Sequence, residues 1–458
     1  MSVMSRTKIA SLTRRGFLGA VAGALPARAA ASRPPNFVIL FADDMGYSDL
    51  ACFGHPTIRT PNLDRMASEG VRLTSFYCAA PVCTPSRAGL LTGRYPVRAG
   101  QPNNLGPDSK GGLPLSEITL AQALKQRGYR TIMIGKWHLG HDPEDYLPTR
   151  RGFDSYFGLL YSNDMIPPWV QTKRPLELYR DTKPVERMED QSNLTQRYTE
   201  EAVRQIRAAG KNPFFLYLPY AMPHLPVSAS GKFLGHSRAG LYGDVIETLD
   251  WSAGEILKTL KEQGIDSHTL VMFTSDNGPW HNLPARMLQK GVEPWHTGTK
   301  GMLKGAKGTT YEGGVRVPFI ARWPGVIPAG QVSADMATTL DFFPTLVKAA
   351  GGSLPADRTY DGFDILPFLQ GRGPSPRKSF FYFLGRNLQA YREGSWKCRL
   401  ARQDADRKAT ETAAPELYHL DRDPAEDYNV FERHKDIGER MLARMREFAA
   451  ELKADFQG

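Results

Sequence analysis

Residues 36–44 read NFVILFADD, seven residues of almost unbroken apolar and strand-favouring character that run straight into Asp43 and Asp44. A continuous apolar run, unlike an alternating one, belongs to a strand buried on both faces. Three similar runs occur later in the chain: Arg130–Ile134 (RTIMI), Phe214–Leu218 (FFLYL) and Leu270–Thr274 (LVMFT). Helical patterns separate them. One covers Thr119–Arg127; another covers Leu241–Lys261, where Leu241, Val245, Leu249, Ile256 and Leu260 recur at helical spacing. Gly128 and Gly264 come after these helices where a left-handed cap belongs. Strands alternating with helices predict an α/β fold, a large mainly parallel mixed sheet flanked by helices.

Each of these strands runs into polar residues that can do chemistry. After NFVILFA come Asp43 and Asp44; after RTIMI come Gly135-Lys136-Trp137-His138; FFLYLPYAMP ends at His224; LVMFTS ends at Asp276-Asn277. In an open α/β sheet the carboxyl ends of the strands share one edge, and ligands bind there. An aspartate after a strand is commonly a turn or cap residue, and a lone histidine is more often structural than catalytic. Four strands aiming such groups at one edge point instead to a site. Asp43, Asp44, Asp276 and Asn277 offer oxygen ligands suited to a hard divalent cation, Ca²⁺ or Mg²⁺, whereas zinc prefers nitrogen or sulfur. His138 and His224 can exchange protons near neutral pH. Basic residues around a cation suit a sulfate or phosphate head group.

A nucleophile is missing from that set, and Cys83-Thr84-Pro85-Ser86-Arg87 supplies a candidate. One reading is a reactive thiolate with its pKa lowered at a helix start; another is a buried structural cysteine. The surroundings add a third. C-T-P-S-R followed by AGLLTGRYP resembles the signature of the sulfatase family, in which this cysteine becomes formylglycine. The resemblance continues through TPNLDRMASEGVRLTSFY, GKWHLG, RRGFDSYFG, SDNGP and GAKGTTYEGGVRVP and spans most of residues 35–325. It is strongest toward the arylsulfatase A and N-acetylgalactosamine-6-sulfatase branch, within the alkaline phosphatase superfamily.

The resemblance implies that Asp43, Asp44, Asp276 and Asn277 hold calcium together with the modified Cys83. Arg87 would orient the formylglycine, and Lys136 and His138 would contact its oxygens and the sulfate. His224 and Lys307 would bind sulfate and assist the leaving group, with Ser162 a further contact. Lys300 and Lys304 share the Gly-rich loop of Lys307 and read as solvated surface. Implied partners are a sulfated small molecule or glycan, and a formylglycine-generating enzyme during maturation. Two rivals remain: a phosphate mono- or diester hydrolase of the same superfamily, and a non-catalytic glycan-binding protein.

The flanks and composition complete the reading. The 458 residues hold 41% hydrophobic and 23% charged residues and four cysteines, which excludes a disordered chain, a collagen-like fibre or a disulfide scaffold. Residues 1–33 carry Arg14-Arg15 before a short apolar stretch from Phe17 to Leu25 and small residues around Ala27-Arg28-Ala29. That layout resembles a twin-arginine signal and is too short to be a stable membrane anchor. It predicts the export machinery as a partner and a periplasmic or secreted protein. Cleavage after Ala29 removes five positive charges, half of the formal +10, and with them most of the case for nucleic acid. Residues 34–370 read as the catalytic domain. Beyond a possible linker at Pro374 and Pro376, residues 371–458 read as a smaller α+β subdomain, with strand-like SFFYFLG and GSWKCRL and a helix placing Ile437, Met441, Met445, Phe448 and Leu452 on one face. With Cys83 modified, Cys52, Cys78 and Cys398 allow at most one intramolecular disulfide. Substrate choice falls to loops near 100–112, 162–190 and 280–300.

Overall fold

The computed structural model describes residues 33–210, 212–400 and 414–456. The signal-like segment lies outside them apart from its last residue. Ten strands make the main sheet: Asn36–Ala42 (β1), Val71–Leu73 (β2), Arg130–Ile134 (β3), Ser155–Leu159 (β4), Glu177–Arg180 (β5), Lys183–Arg187 (β6), Phe214–Pro219 (β7), Thr269–Ser275 (β8), Phe319–Arg322 (β9) and Gln331–Ser333 (β10). Their order across the sheet is β10-β2-β9-β8-β1-β7-β3-β4-β5-β6. The central strands β8-β1-β7-β3-β4 run parallel. Antiparallel pairs extend both sides, through β9 and β2 at one and β5 and β6 at the other.

Every residue of β1, β7 and β8 is buried, as continuous apolar runs require. Helices Pro61–Ser68 (α1), Leu194–Ala208 (α4) and Gly240–Glu262 (α5) form one packed group; Cys83–Thr92 (α2), Leu120–Lys125 (α3) and Phe342–Ala349 (α6) form another. Gly128 (φ +80°) and Gly264 (φ +67°) close α3 and α5. The amides beyond them, Tyr129 and Ile265, donate back to the carbonyls of Leu124 and Leu260, the bond pattern that ends a helix through a left-handed residue.

Register positions the chemistry. Ala42 lies opposite Ser275 in the parallel β1–β8 pair, so Asp43 and Asp276 emerge side by side. On the other flank Phe41 lies opposite Pro219. There the Lys136 amide donates to the Pro219 carbonyl at 2.7 Å, bringing the turn after β3 level with the end of β1. Gly135 (φ +124°) makes that approach possible, because a Cβ there would sit 1.8 Å from the Pro219 oxygen.

The chain beyond residue 371 forms a four-stranded antiparallel sheet, Ser379–Leu384 (β11), Asn387–Glu393 (β12), Trp396–Arg399 (β13) and Glu416–His419 (β14), with Lys435–Leu452 (α7) packed on it. SFFYFL alternates between two partners, as a pleated strand must. Phe380 and Tyr382 meet Tyr77 of the larger part, at ring separations of 5.5 and 5.8 Å, whereas Phe381 stacks on Phe448 of α7 at 3.9 Å. Its core is therefore continuous with the main one. The segment read as a possible linker is pinned: buried Arg377 grips Asp341 through Nε at 3.0 Å and Nη2 at 2.5 Å. Among the described residues no helix is long and apolar enough to cross a membrane.

Candidate active site

Asp43, Asp44, Asp276 and Asn277 are all buried at the carboxyl ends of β1 and β8. Asp44 adopts φ +64°, a left-handed conformation that aspartate tolerates better than most residues. That turn lets its amide donate to Asp276 Oδ1 at 3.1 Å while its Oδ1 accepts from Asn277 Nδ2 at 2.7 Å. Burial alone would raise the Asp43 pKa, but Lys136 and Arg87 hold it well below the usual carboxylate range. Burial and the charge on Asp43 push Asp276 the other way, upward.

Cys83 is the first residue of α2, and its Sγ lies 3.4 Å from Asp43 Oδ1 and 3.9 Å from Asp44 Oδ1. The thiolate reading fails here. Burial raises the thiol pKa well above its usual value, overriding the nearby Lys136 and Lys307. One helical turn on, Arg87 is fully buried; Nη2 reaches Asp276 Oδ2 at 2.8 Å and Asp43 Oδ2 at 3.3 Å, and Nη1 donates to the Lys136 carbonyl at 3.0 Å. All four cysteines are free thiols in the structure.

Lys136 Nζ contacts Asp43 Oδ2 at 2.5 Å and donates to Ser162 Oγ at 3.1 Å. Lys307 Nζ lies 2.7 Å from Asp44 Oδ2. Burial opposes both ammonium charges, yet Asp43 and Asp44 hold the two lysines protonated. Arg87, Lys136 and Lys307 thus balance the three carboxylates.

The two histidines are buried, and burial lowers both pKa values, aided by Lys136 at His138 and by Lys307 at His224. His138 Nε2 is 2.8 Å from the Leu105 carbonyl, which can only accept, so in the neutral ring Nδ1 is bare; it has no partner among the described residues. His224 is the mirror case. Its Nδ1 donates to the Leu225 carbonyl at 2.6 Å, leaving Nε2 open 3.5 Å from Ser162 Oγ and 3.6 Å from Asp44 Oδ2.

A metal ion fits this cluster. Asp43, Asp44, Cys83 and His224 each offer an atom within 4.8 Å of the others. The buried Asn277 Oδ1, lacking any partner among the described residues, is the kind of orphaned oxygen that a cation satisfies. All eleven residues singled out from the sequence therefore meet at one sheet edge.

The family model described as Sulfatase matches residues 35–353. The chain belongs to the sulfatase family. A second model, N-sulphoglucosamine sulphohydrolase, C-terminal, matches residues 305–451 of this sulfatase. Human arylsulfatase A is 40% identical over 444 residues, 89% of this chain and 85% of its own. Mouse N-acetylgalactosamine-6-sulfatase is 40% identical over 442 residues, 87% and 82% of the two chains. A solved structure of Ps i-CgsB in complex with k-i-k-neocarrahexaose matches with a TM-score of 0.79 at 29% identity, covering 91% of this chain and 93% of that one. The sulfatase is a sulfuric ester hydrolase, and sulfate-ester hydrolysis is its reaction.

Several neighbours of the sulfatase site were not legible in sequence. Asn104 Oδ1 accepts from the Thr84 amide at 2.8 Å at the foot of α2. Trp280, directly after SDNGP, lies 5.7 Å from the His224 ring and 4.6 Å from Lys307 Nζ. An aromatic residue next to a candidate ligand run was the available signal. Lys304 is not solvated surface as its loop suggested. Its Nζ donates to the Glu426 carbonyl at 2.9 Å and sits 4.7 Å from the Tyr311 ring, because the C-terminal part folds back over that loop.

Proposed function

We propose that this sulfatase cleaves sulfate esters of carbohydrates using a formylglycine made from Cys83 beside one bound calcium ion. The position of Cys83 carries the reading. Its Sγ faces the carboxylates of Asp43 and Asp44 at the start of a buried helix, where burial keeps the unmodified thiol protonated and a poor nucleophile. Oxidation to an aldehyde would supply, once hydrated, one hydroxyl to attack sulfur and a second to release sulfate. Calcium would be held by Asp43, Asp44, Asp276 and the amide oxygen of Asn277 and would polarise the sulfate oxygens.

The remaining residues divide the work. Arg87, locked between Asp276 and Asp43, fixes the start of α2 and its first side chain. Lys136, Ser162 and Lys307 present N–H and O–H donors to the sulfate oxygens. His138 accepts a proton at its bare Nδ1 from the group at residue 83. His224 takes up a proton from solvent at its open Nε2 as the anionic ester binds and passes it to the departing oxygen. The ring is neutral in the free protein, and the incoming anionic ester raises its affinity for that proton.

A carbohydrate substrate is supported by the mouse relative, named for N-acetylgalactosamine-6-sulfate chemistry, and by the hexaose held by a structural neighbour. Export through a twin-arginine signal at residues 1–33, with maturation in the cytoplasm beforehand, completes the reading. Mass spectrometry of active protein, paired with turnover of an aryl sulfate and the matching aryl phosphate, tests it. The Cys83 peptide is expected to lack its thiol and carry an aldehyde or hydrate, with sulfate the preferred ester. Full activity with an intact thiol, or preference for phosphate, overturns it.

A further inference from the structure

Two of the loops expected to choose the substrate dock on each other through one side chain. Arg286 Nη1 donates to the Trp169 carbonyl at 2.7 Å and lies 3.9 Å from Asp164 Oδ2, tying the 280–300 segment to the 162–190 segment. The guanidinium carbon is 5.8 Å from the Trp280 ring, which in turn is 5.7 Å from the His224 ring. Those two steps laid end to end place the guanidinium no more than about 12 Å from the imidazole.

The use of the nitrogens is uneven. Nη1 makes every polar contact of the Arg286 side chain, including 3.2 Å to Met287 Sδ, whereas Nε and Nη2 have no partner among the described residues. The side chain is 44% exposed, and this second edge is without a protein partner among the described residues. The Nε–Nη2 edge is the one that matches a carboxylate or sulfate with two parallel N–H···O bonds. An arginine held by one nitrogen and open at that edge is oriented before any ligand arrives, which reduces the entropy lost on binding. Lys290, whose Nζ lies 5.6 Å from the Trp169 ring, adds a second positive charge on the same loop. Buried Asp164 is the acidic group beside Arg286.

We propose that Arg286 is a specificity-determining residue that binds a second anionic group, carboxylate or sulfate, on the sugar adjoining the one whose sulfate ester lies at Cys83. This rests on the sulfate-ester reading of the site and names the glycan class as polyanionic. Arg286 touches no reacting atom; its role is in the binding of the leaving group's neighbour.

The test measures kcat and KM for wild type, Arg286→Gln and Arg286→Lys on 4-methylumbelliferyl sulfate and on sulfated disaccharides. The disaccharides are matched at the sulfated sugar and carry a carboxylate, a second sulfate or no charge on the adjoining one. Wild type is expected to favour the charged members. Arg286→Gln should lose about tenfold or more in kcat/KM on them, mostly in KM, as a charge-assisted bond at the ground state implies. The neutral disaccharide and the aryl ester should change by less than about twofold, which also shows that the variant has folded. Arg286→Lys, with charge but no fork, should recover only part of the loss. The two charged arms distinguish carboxylate from sulfate. Absence of a wild-type preference, or equal losses on all esters, overturns the proposal while leaving the sulfatase reading intact. Failure of wild type on every ester, aryl included, removes that reading first.

Discussion

At the scale of single residues, the roles proposed for Cys83 and His224 are the ones that substitutions test most directly. Cys83→Ala should abolish turnover of every sulfate ester while leaving the circular dichroism spectrum unchanged, since the substitution exchanges one small buried side chain for another. Residual turnover comparable to wild type would mean that another group attacks sulfur. For the histidine, the dependence on leaving group is the informative measurement. If His224 protonates the departing oxygen, His224→Ala should slow esters of weakly acidic sugar alcohols most, because activated phenols leave as anions. If Lys307 donates to the sulfate common to all substrates, Lys307→Ala should lower kcat/KM by a similar factor throughout. Across phenyl sulfates of graded acidity, a steeper dependence for His224→Ala is expected. Parallel slopes would transfer the acid role to Lys307, which Asp44 holds protonated.

At the scale of elements, much of the arrangement was legible and the reason is physical. β1 and β3 occupy the residues read from their apolar runs, β7 is one residue longer, and β8 gains one at each end. Those strands lie in the parallel centre, where burial on both faces demands unbroken apolar sequence. The outer strands gave no such signal: Lys183–Arg187 is exposed throughout, and Phe319–Arg322 is four residues long. The site residues were legible because each comes after a central strand or sits in a run of motif, so register alone gathers them. Trp280, Arg286 and Asp164 were not, since the paths of two long loops bring them together. The same limit hid the anchoring of the 371–378 stretch. There the Arg377–Asp341 pair makes a prediction: Arg377→Met should lower stability by about 3–5 kcal/mol, because it strands a buried carboxylate. Equilibrium denaturation with urea measures it, and a loss under about 1 kcal/mol would mean the pair behaves as an exposed one.

For the molecule as a whole, a cation held by Asp43, Asp44, Asp276 and Asn277 as proposed would link activity to stability. Active protein should contain about one calcium per chain, as a compact oxygen cage implies. Chelation should lower both turnover and the thermal midpoint, and added calcium should restore both. At about a hundredfold excess over its dissociation constant such an ion would contribute about 2.7 kcal/mol to the folded state. Stoichiometric zinc whose content tracks activity would replace calcium in this assignment.

If Cys83 is matured as proposed, its depth also sets a clock. Its side chain is 1% exposed, at the start of α2 and against Asp43 and Asp44 at the end of β1. An enzyme that must reach so buried a residue can do so only while these elements are apart. Folding and maturation are then in a race within each newly made chain, and the winner is recorded permanently. On that reading, a chain that closes first keeps its thiol and stays inert. The yield of active protein is accordingly a ratio of two rates, and slowing collapse of the central strands should raise it without altering the folded state at all.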